Sequence, residues 1–215
     1  MSKIINFLLQ KIGVKLDQHK LKKFIALGFI VIEKILIKFQ KLRHLYFDFY
    51  DEMTKNEIKL ANISKDDTIL HIGSGPIPAT SILLAKKVGA QVISIDNNIR
   101  SVKQAIYCVS EVGVADKVQI KYADANSFPT DKFDVIIISQ GTRPYKELLQ
   151  HISQSMKDDA RVIFRTSSSP SGEIVQKDLF IKDMFKIGKI VSQERNGLLI
   201  SILLKREGRN EHNLV

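Results

Sequence analysis

The chain has 215 residues and a mass of 24.4 kDa, with 44% hydrophobic and 26% charged residues. That balance excludes a disordered, collagen-like or linker-like chain and provides the apolar material for one packed domain plus an appendage. The single cysteine, Cys108, leaves no intramolecular disulfide framework and no multi-cysteine metal site, which suits a reducing, cytoplasmic compartment.

The net charge of +10 is unevenly placed: residues 1–45 carry ten Lys and Arg against Asp17 and Glu33, and the rest of the chain is nearly neutral. Residues 1–62 read as a basic, amphipathic helical segment. Within it, the apolar run Phe24–Ile32 is too short to span a bilayer, and Lys22, Lys23, Glu33 and Lys34 crowd its ends. No signal-peptide cleavage pattern follows it. The simplest expectation is helices that pack on the next domain, while their lysine-rich face would also suit RNA or an acidic membrane surface. The oligomeric state is not legible here. The aromatic stretch Leu45–Tyr50 leads into a helix through Asp51–Asn62, after which the domain boundary is placed.

Residues 63–206 form the second unit, followed by a polar tail over 207–215. From Thr68 onward, short apolar runs alternate with amphipathic ones. Strands are expected at Thr68–Ile72, Gln91–Ile95, Val118–Tyr122, Phe133–Ile138, Arg161–Arg165, Ile187–Ser192 and Leu198–Leu204. Helices are expected between them at Ala79–Val88, Ile99–Val112, Pro144–Met156 and Glu173–Phe185. The last two strands are separated only by a short link containing Asn196-Gly197, a hairpin signal, so they should be antiparallel. The fold class is therefore α/β: a Rossmann-like, doubly wound, seven-stranded and mostly parallel sheet with one antiparallel strand, preceded by N-terminal helices.

In such folds ligands sit beyond the carboxyl ends of the strands. After the first strand comes Gly73-Ser74-Gly75-Pro76-Ile77-Pro78, where two glycines let backbone approach a ligand closely. Pro78 opens the following helix, and Thr80 and Ser81 are candidates to cap it. The loop has no Walker lysine, and Pro78 stands where a dinucleotide fingerprint has its third glycine. Asp96, 21 positions after Gly75, ends the second strand and can accept ribose hydroxyls; Asn97 and Asn98 follow it. Asp124 and Ala125 follow the third strand, where the carboxylate can take an adenine amine and Phe128 can pack on the ring. Ser139-Gln140-Gly141-Thr142-Arg143 follows the fourth. Each carboxylate alone is a common turn residue, but together they favour a nucleoside pocket. The five histidines lack metal-ligand spacing, so no metal site is expected. His71 reads as a hydrogen-bonded buried histidine, Cys108 as packing, and Ser167–Gly172 as a mobile loop or a lid.

These loops resemble the class I S-adenosylmethionine-dependent methyltransferases, over about Thr68 to Lys205. Within them, Ile72-Gly-Ser-Gly-Pro-Ile-Pro-Ala-Thr-Ser-Ile-Leu-Leu-Ala85 is similar to the nicotianamine synthase branch, as are the aromatic cluster Tyr46–Tyr50 and the strand end Val162–Ser167. His71 departs from the superfamily pattern, which usually has an acid there. The resemblance implies S-adenosylmethionine held by Gly73, Ser74, Gly75, Pro76, Asp96, Asn97, Asp124, Ala125 and Ser139. The nicotianamine synthase branch transfers the aminocarboxypropyl arm of S-adenosylmethionine, with a glutamate and a tyrosine beside the reacting amine. Before Asp48 this chain offers only Asp17 and Glu33 as acids, so methyl transfer to a small-molecule acceptor is the first expectation and arm transfer the second. A nucleoside-binding protein with a basic arm for RNA or membrane is the third. Tyr50, Glu57, Gln140 and Arg143 are the candidate catalytic residues.

Overall fold

The computed structural model describes residues 43–167, 179–192 and 199–206. Expectations about the basic segment 1–42, the serine-rich loop beyond Ser167, the Asn196-Gly197 turn and the tail fall outside these residues. The described elements are α1 (Arg43–Ala61), β1 (Thr68–Ile72), α2 (Ala79–Val88), β2 (Gln91–Asp96), α3 (Ile99–Val112), β3 (Val118–Tyr122), β4 (Val135–Ile138), α4 (Tyr145–Ser155), β5 (Arg161–Ser167), α5 (Leu179–Lys182), β6 (Phe185–Ser192) and β7 (Leu199–Arg206).

The seven strands form one sheet in the order β3-β2-β1-β4-β5-β7-β6. β1 through β5 run parallel to one another, and β7 runs antiparallel to both β5 and β6. This is the mostly parallel sheet with one antiparallel strand read from the sequence. Its central strands are apolar on both faces because both faces are covered: all four residues of β4 and Ile69–Ile72 of β1 are buried. One core layer joins Tyr46 and Ala61 of α1 to Ile82, Leu84, Val109 and Ile137. The other joins Leu148, Leu149 and Ile152 of α4 to Leu70, Ile136, Val162 and Ile202. The aromatic stretch before Asp51 is therefore part of α1, which packs on the sheet.

Several details differ from the sequence reading. β4 begins at Val135 rather than Phe133, because Thr130–Phe133 makes a turn and Asp134 turns its carboxylate to the Thr68 N–H at 2.8 Å. The expected helix to Phe185 is described only over Leu179–Lys182, and Phe185 already belongs to β6. Thr80 and Ser81 do not cap α2, whose first residue follows Pro78 without a side-chain cap; both hydroxyls have other partners, given below.

Ion pairs tie the amino-terminal end of the sheet: Lys157 reaches Asp134 at 2.6 Å, and Arg161 pairs with Asp67 while donating to the Ala61 carbonyl at 2.7 Å. The carboxyl ends of the strands are left for the ligand.

Candidate functional site

The loops following β1 through β4, the end of β5 and the first turns of α1 and α2 surround one cleft of about 660 Å³, a size in the usual range for small-molecule sites. Its floor is the glycine loop. Gly73 sits at φ +77°, and a Cβ there would stand 2.8 Å from Thr142 Oγ1, so the loops after β1 and β4 meet over a position that only glycine fills without displacement. The Gly73 N–H donates to Ile95 O at 2.9 Å, and the Gly75 N–H, at φ +63°, donates to Asp96 Oδ2 at 2.9 Å. Asp96 Oδ1 accepts from Asn98 N at 2.8 Å. Asp96 thereby locks the glycine loop to the end of β2, and each carboxylate oxygen keeps a lone pair for the cleft. Asn98 caps α3, accepting from Arg100 and Ser101 N–H.

The donor set fits a polar, nucleoside-sized ligand. Ser74, 6% exposed, lines the cleft with a buried Oγ that meets no partner, and Asn126 Oδ1 is likewise buried and unpartnered on the cleft wall. Orphaned buried polar atoms are rare in native proteins, and two on one cleft mark places where an occupant supplies the missing hydrogen bonds. Asp124 is exposed on the rim, its Oδ1 accepting from the Asn126 backbone and side-chain N–H groups at 3.0 and 3.1 Å. Phe128 does not line the cleft; it packs beside Phe133, with ring centroids 6.3 Å apart.

Two buried polar networks stand behind the floor. His71 bonds Ser81 Oγ through Nδ1 at 2.8 Å and Ser139 Oγ through Nε2 at 2.9 Å, and Ser81 in turn meets Ser94 Oγ at 2.5 Å. Burial, helped by the nearby Arg165 cation, pushes the His71 pKa down to about 3, so the ring is neutral and serves as a hydrogen-bonded tie between β1, α2 and the loop after β4. In the second network Arg165, 5% exposed, donates from Nε and Nη2 to the Glu57 carboxylate at 2.8 and 2.6 Å, and from Nη2 to Thr80 Oγ1 at 3.0 Å. Ser201 Oγ adds a third bond to Glu57 at 2.7 Å. Burial alone would lower the guanidinium pKa, but the Glu57 charge and hydrogen bonds outweigh it and raise it, so Arg165 is permanently cationic.

Of the expected residues, Gly73, Ser74, Gly75, Pro76, Asp96, Asn97, Asp124, Ala125 and Ser139 all line the cleft, together with Tyr50, Gln140 and Arg143. Gln140 and Arg143 are exposed, and Arg143 lies over the Tyr145 ring at 5.3 Å. The Tyr50 hydroxyl lies 3.4 Å from that of Tyr46, and its ring lies 6.0 Å from the Arg165 guanidinium carbon. Glu57 does not line the cleft: it is fully buried and occupied by Arg165 and Ser201. Arg165, Thr80 and Asn126 were not singled out as site residues by the sequence, although an arginine inside the otherwise apolar Val162-Ile-Phe run is a signal for Arg165. Among the described residues, no three His, Cys, Asp or Glu side chains are grouped to hold a metal, and no helix is long and apolar enough to cross a membrane.

Known proteins share this architecture. A structure of a mutant of MtNAS in complex with S-adenosylmethionine superposes with a TM-score of 0.73 and 23% identity, over 87% of this chain and 76% of that one. A SAM dependent methyltransferase from Aquifex aeolicus follows with a TM-score of 0.62 and 18% identity, over 78% and 98%. These likenesses establish the Rossmann-like methyltransferase fold. In sequence, the L-histidine 2-aminobutanoyltransferase of Yersinia pestis is 26% identical over 121 residues, covering 56% of this chain and 45% of that protein. Its namesake from Pseudomonas aeruginosa strain PAO1 is 26% identical over 127 residues, covering 56% and 46%. The chain thus spans less than half the length of these curated relatives. The family model described as nicotianamine synthase protein matches residues 14–190, most of the sequence. The chain belongs to the nicotianamine synthase family.

Proposed function

We propose that the protein is an S-adenosylmethionine-dependent transferase that moves the aminocarboxypropyl arm to the amine of a small amino-acid acceptor. The observation that carries this reading is the Gly75–Asp96 contact at 2.9 Å, which joins two strand-end loops into one polar cradle in a chain of this family. When bound, S-adenosylmethionine supplies a sulfonium: an amine attacking the arm carbon next to sulfur releases methylthioadenosine, whereas attack at the methyl group releases S-adenosylhomocysteine.

The chain's own residues supply binding and alignment. Asp96 accepts the ribose hydroxyls, and Asp124 with Asn126 accepts the adenine amine at the rim. The unpartnered Ser74 hydroxyl brings a donor against the nucleoside side, and the positive-φ backbone of Gly73 and Gly75, its N–H groups already held by Ile95 and Asp96, lets the loop approach it closely. Tyr46 and Tyr50 of α1 line the same cleft, where their hydroxyls hydrogen-bond the acceptor. An amino-acid acceptor is supported by the relatives named for L-histidine. Methyl transfer, first on the sequence alone, becomes the second reading; methyltransferase neighbours of the same fold support it.

The test is to incubate the protein with S-adenosylmethionine and L-histidine and separate the nucleoside products. Methylthioadenosine released together with an aminocarboxypropylated amine is expected. Release of S-adenosylhomocysteine instead would favour the methyl reading.

A further inference from the structure

Arg165 is an expensive residue to place where it is. Burying a guanidinium costs several kcal/mol unless its charge and its N–H groups are met. Here Nε and both hydrogens of Nη2 are taken by Glu57 and Thr80, while the two N–H groups of Nη1 meet no partner among the described residues. Arg165 lines the cleft and Glu57 does not, so the pair presents its positive end to the cavity and keeps its negative end in the core. The other cation on the described cleft wall, Arg143, is exposed and lies against Tyr145. The remaining charges there, Asp96 and Asp124, are negative.

Building on the transferase reading, we infer that Arg165 is a carboxylate receptor, its Nη1 edge binding the α-carboxylate of an amino-acid group in the cleft. Glu57 is its positioning residue. The three hydrogen bonds that Glu57 accepts from Arg165 and Ser201 fix the guanidinium plane, and its buried charge keeps the arginine at the end of β5 instead of letting it swing to solvent. The carboxylate has two possible sources, the arm of S-adenosylmethionine or the amino-acid acceptor, and both present the same chemistry to Nη1.

Calorimetric titration of the full chain distinguishes them. S-adenosylhomocysteine is compared with its decarboxylated analogue, and, in the presence of methylthioadenosine, L-histidine is compared with histamine. A charge-assisted hydrogen-bonded pair predicts that one carboxylate ligand binds about 10- to 100-fold more tightly than its decarboxylated partner. The double variant Glu57→Gln/Arg165→Gln, neutral at both positions, should lose that preference while binding methylthioadenosine as before. A preference in the first pair assigns the arm, and one in the second assigns the acceptor. If the double variant does not fold, Arg165→Lys, which keeps the charge opposite Glu57 but not the planar fork, should reduce the preference. Two results overturn the inference: no preference in either pair, or a preference that survives undiminished in the variants. If neither methylthioadenosine nor S-adenosylhomocysteine binds, the transferase reading falls and this inference falls with it, whereas methylthioadenosine binding without carboxylate preference removes Arg165 alone.

Discussion

Replacing Glu57 with alanine removes the counter-charge of a guanidinium that is only 5% exposed and meets the cleft by one edge. It also deletes the acceptor of three short hydrogen bonds, two from Arg165 and one from Ser201. Breaking a buried pair from one side costs about 3–5 kcal/mol, because the surviving charge stays desolvated and unpaired. Against a typical stability of about 5–15 kcal/mol this is a large share, and in a domain of this size it lowers the melting temperature by roughly 6–20 °C. Arg165→Met, which strands the fully buried Glu57 carboxylate, should cost a similar amount. The pair Glu57→Met/Arg165→Met, with no charge left to bury, should recover most of the loss. The chain has no tryptophan, so urea unfolding is best followed by far-ultraviolet circular dichroism, comparing midpoints at unchanged slope. Single variants within about 0.5 kcal/mol of the parent, or a double variant no more stable than either single, would refute the reasoning.

Gly73→Ala places a β-carbon 2.8 Å from Thr142 Oγ1 at φ +77°; a loss of about 1–3 kcal/mol in stability is expected by thermal unfolding, with weaker nucleoside binding as the loop after β4 shifts. Asp96→Ala removes the acceptor for the Gly75 and Asn98 N–H groups and should weaken methylthioadenosine binding by about 10-fold or more in a titration; unchanged affinity would place the nucleoside elsewhere. His71 has a folded pKa near 3 against an unfolded value of 6.5. Between these the unfolded chain binds more protons, so stability falls as the pH drops below about 6.5. From pH 7 to pH 5 His71 should account for a loss of about 2 kcal/mol that His71→Gln does not show; equal pH dependence of unfolding in the two proteins would show that the ring is not buried neutral.

The parallel strands were legible because a sheet covered on both faces demands continuous apolar runs, and Leu70–Ile72, Val92–Ile95 and Val135–Ile138 have no other plausible use. The strand-end loops were legible for a related reason: Gly73, Gly75, Asp96 and Asp124 break those runs at one end of the sheet, where the topology puts a ligand. The polar networks were not. Glu57 meets partners 108 and 144 positions away, so nothing in its neighbourhood distinguishes a solvent-facing helical acid from a fully buried one. Thr80 and Ser81 looked like caps because they stand at a helix start, but in the fold they face Arg165 and His71 inside the protein. Phe128 follows the adenine-side loop in sequence, yet the turn held by Asp124 directs it to Phe133.

The most direct test is calorimetric titration of the purified protein with S-adenosylmethionine, S-adenosylhomocysteine and methylthioadenosine, with NAD as the control. Micromolar binding of the three adenosyl sulfur compounds, weakened about 10-fold or more in Asp96→Ala and absent for NAD, is the expected result. No binding of any of the three, or binding that Asp96→Ala leaves intact, would contradict a nucleoside cleft built on the Gly75–Asp96 contact.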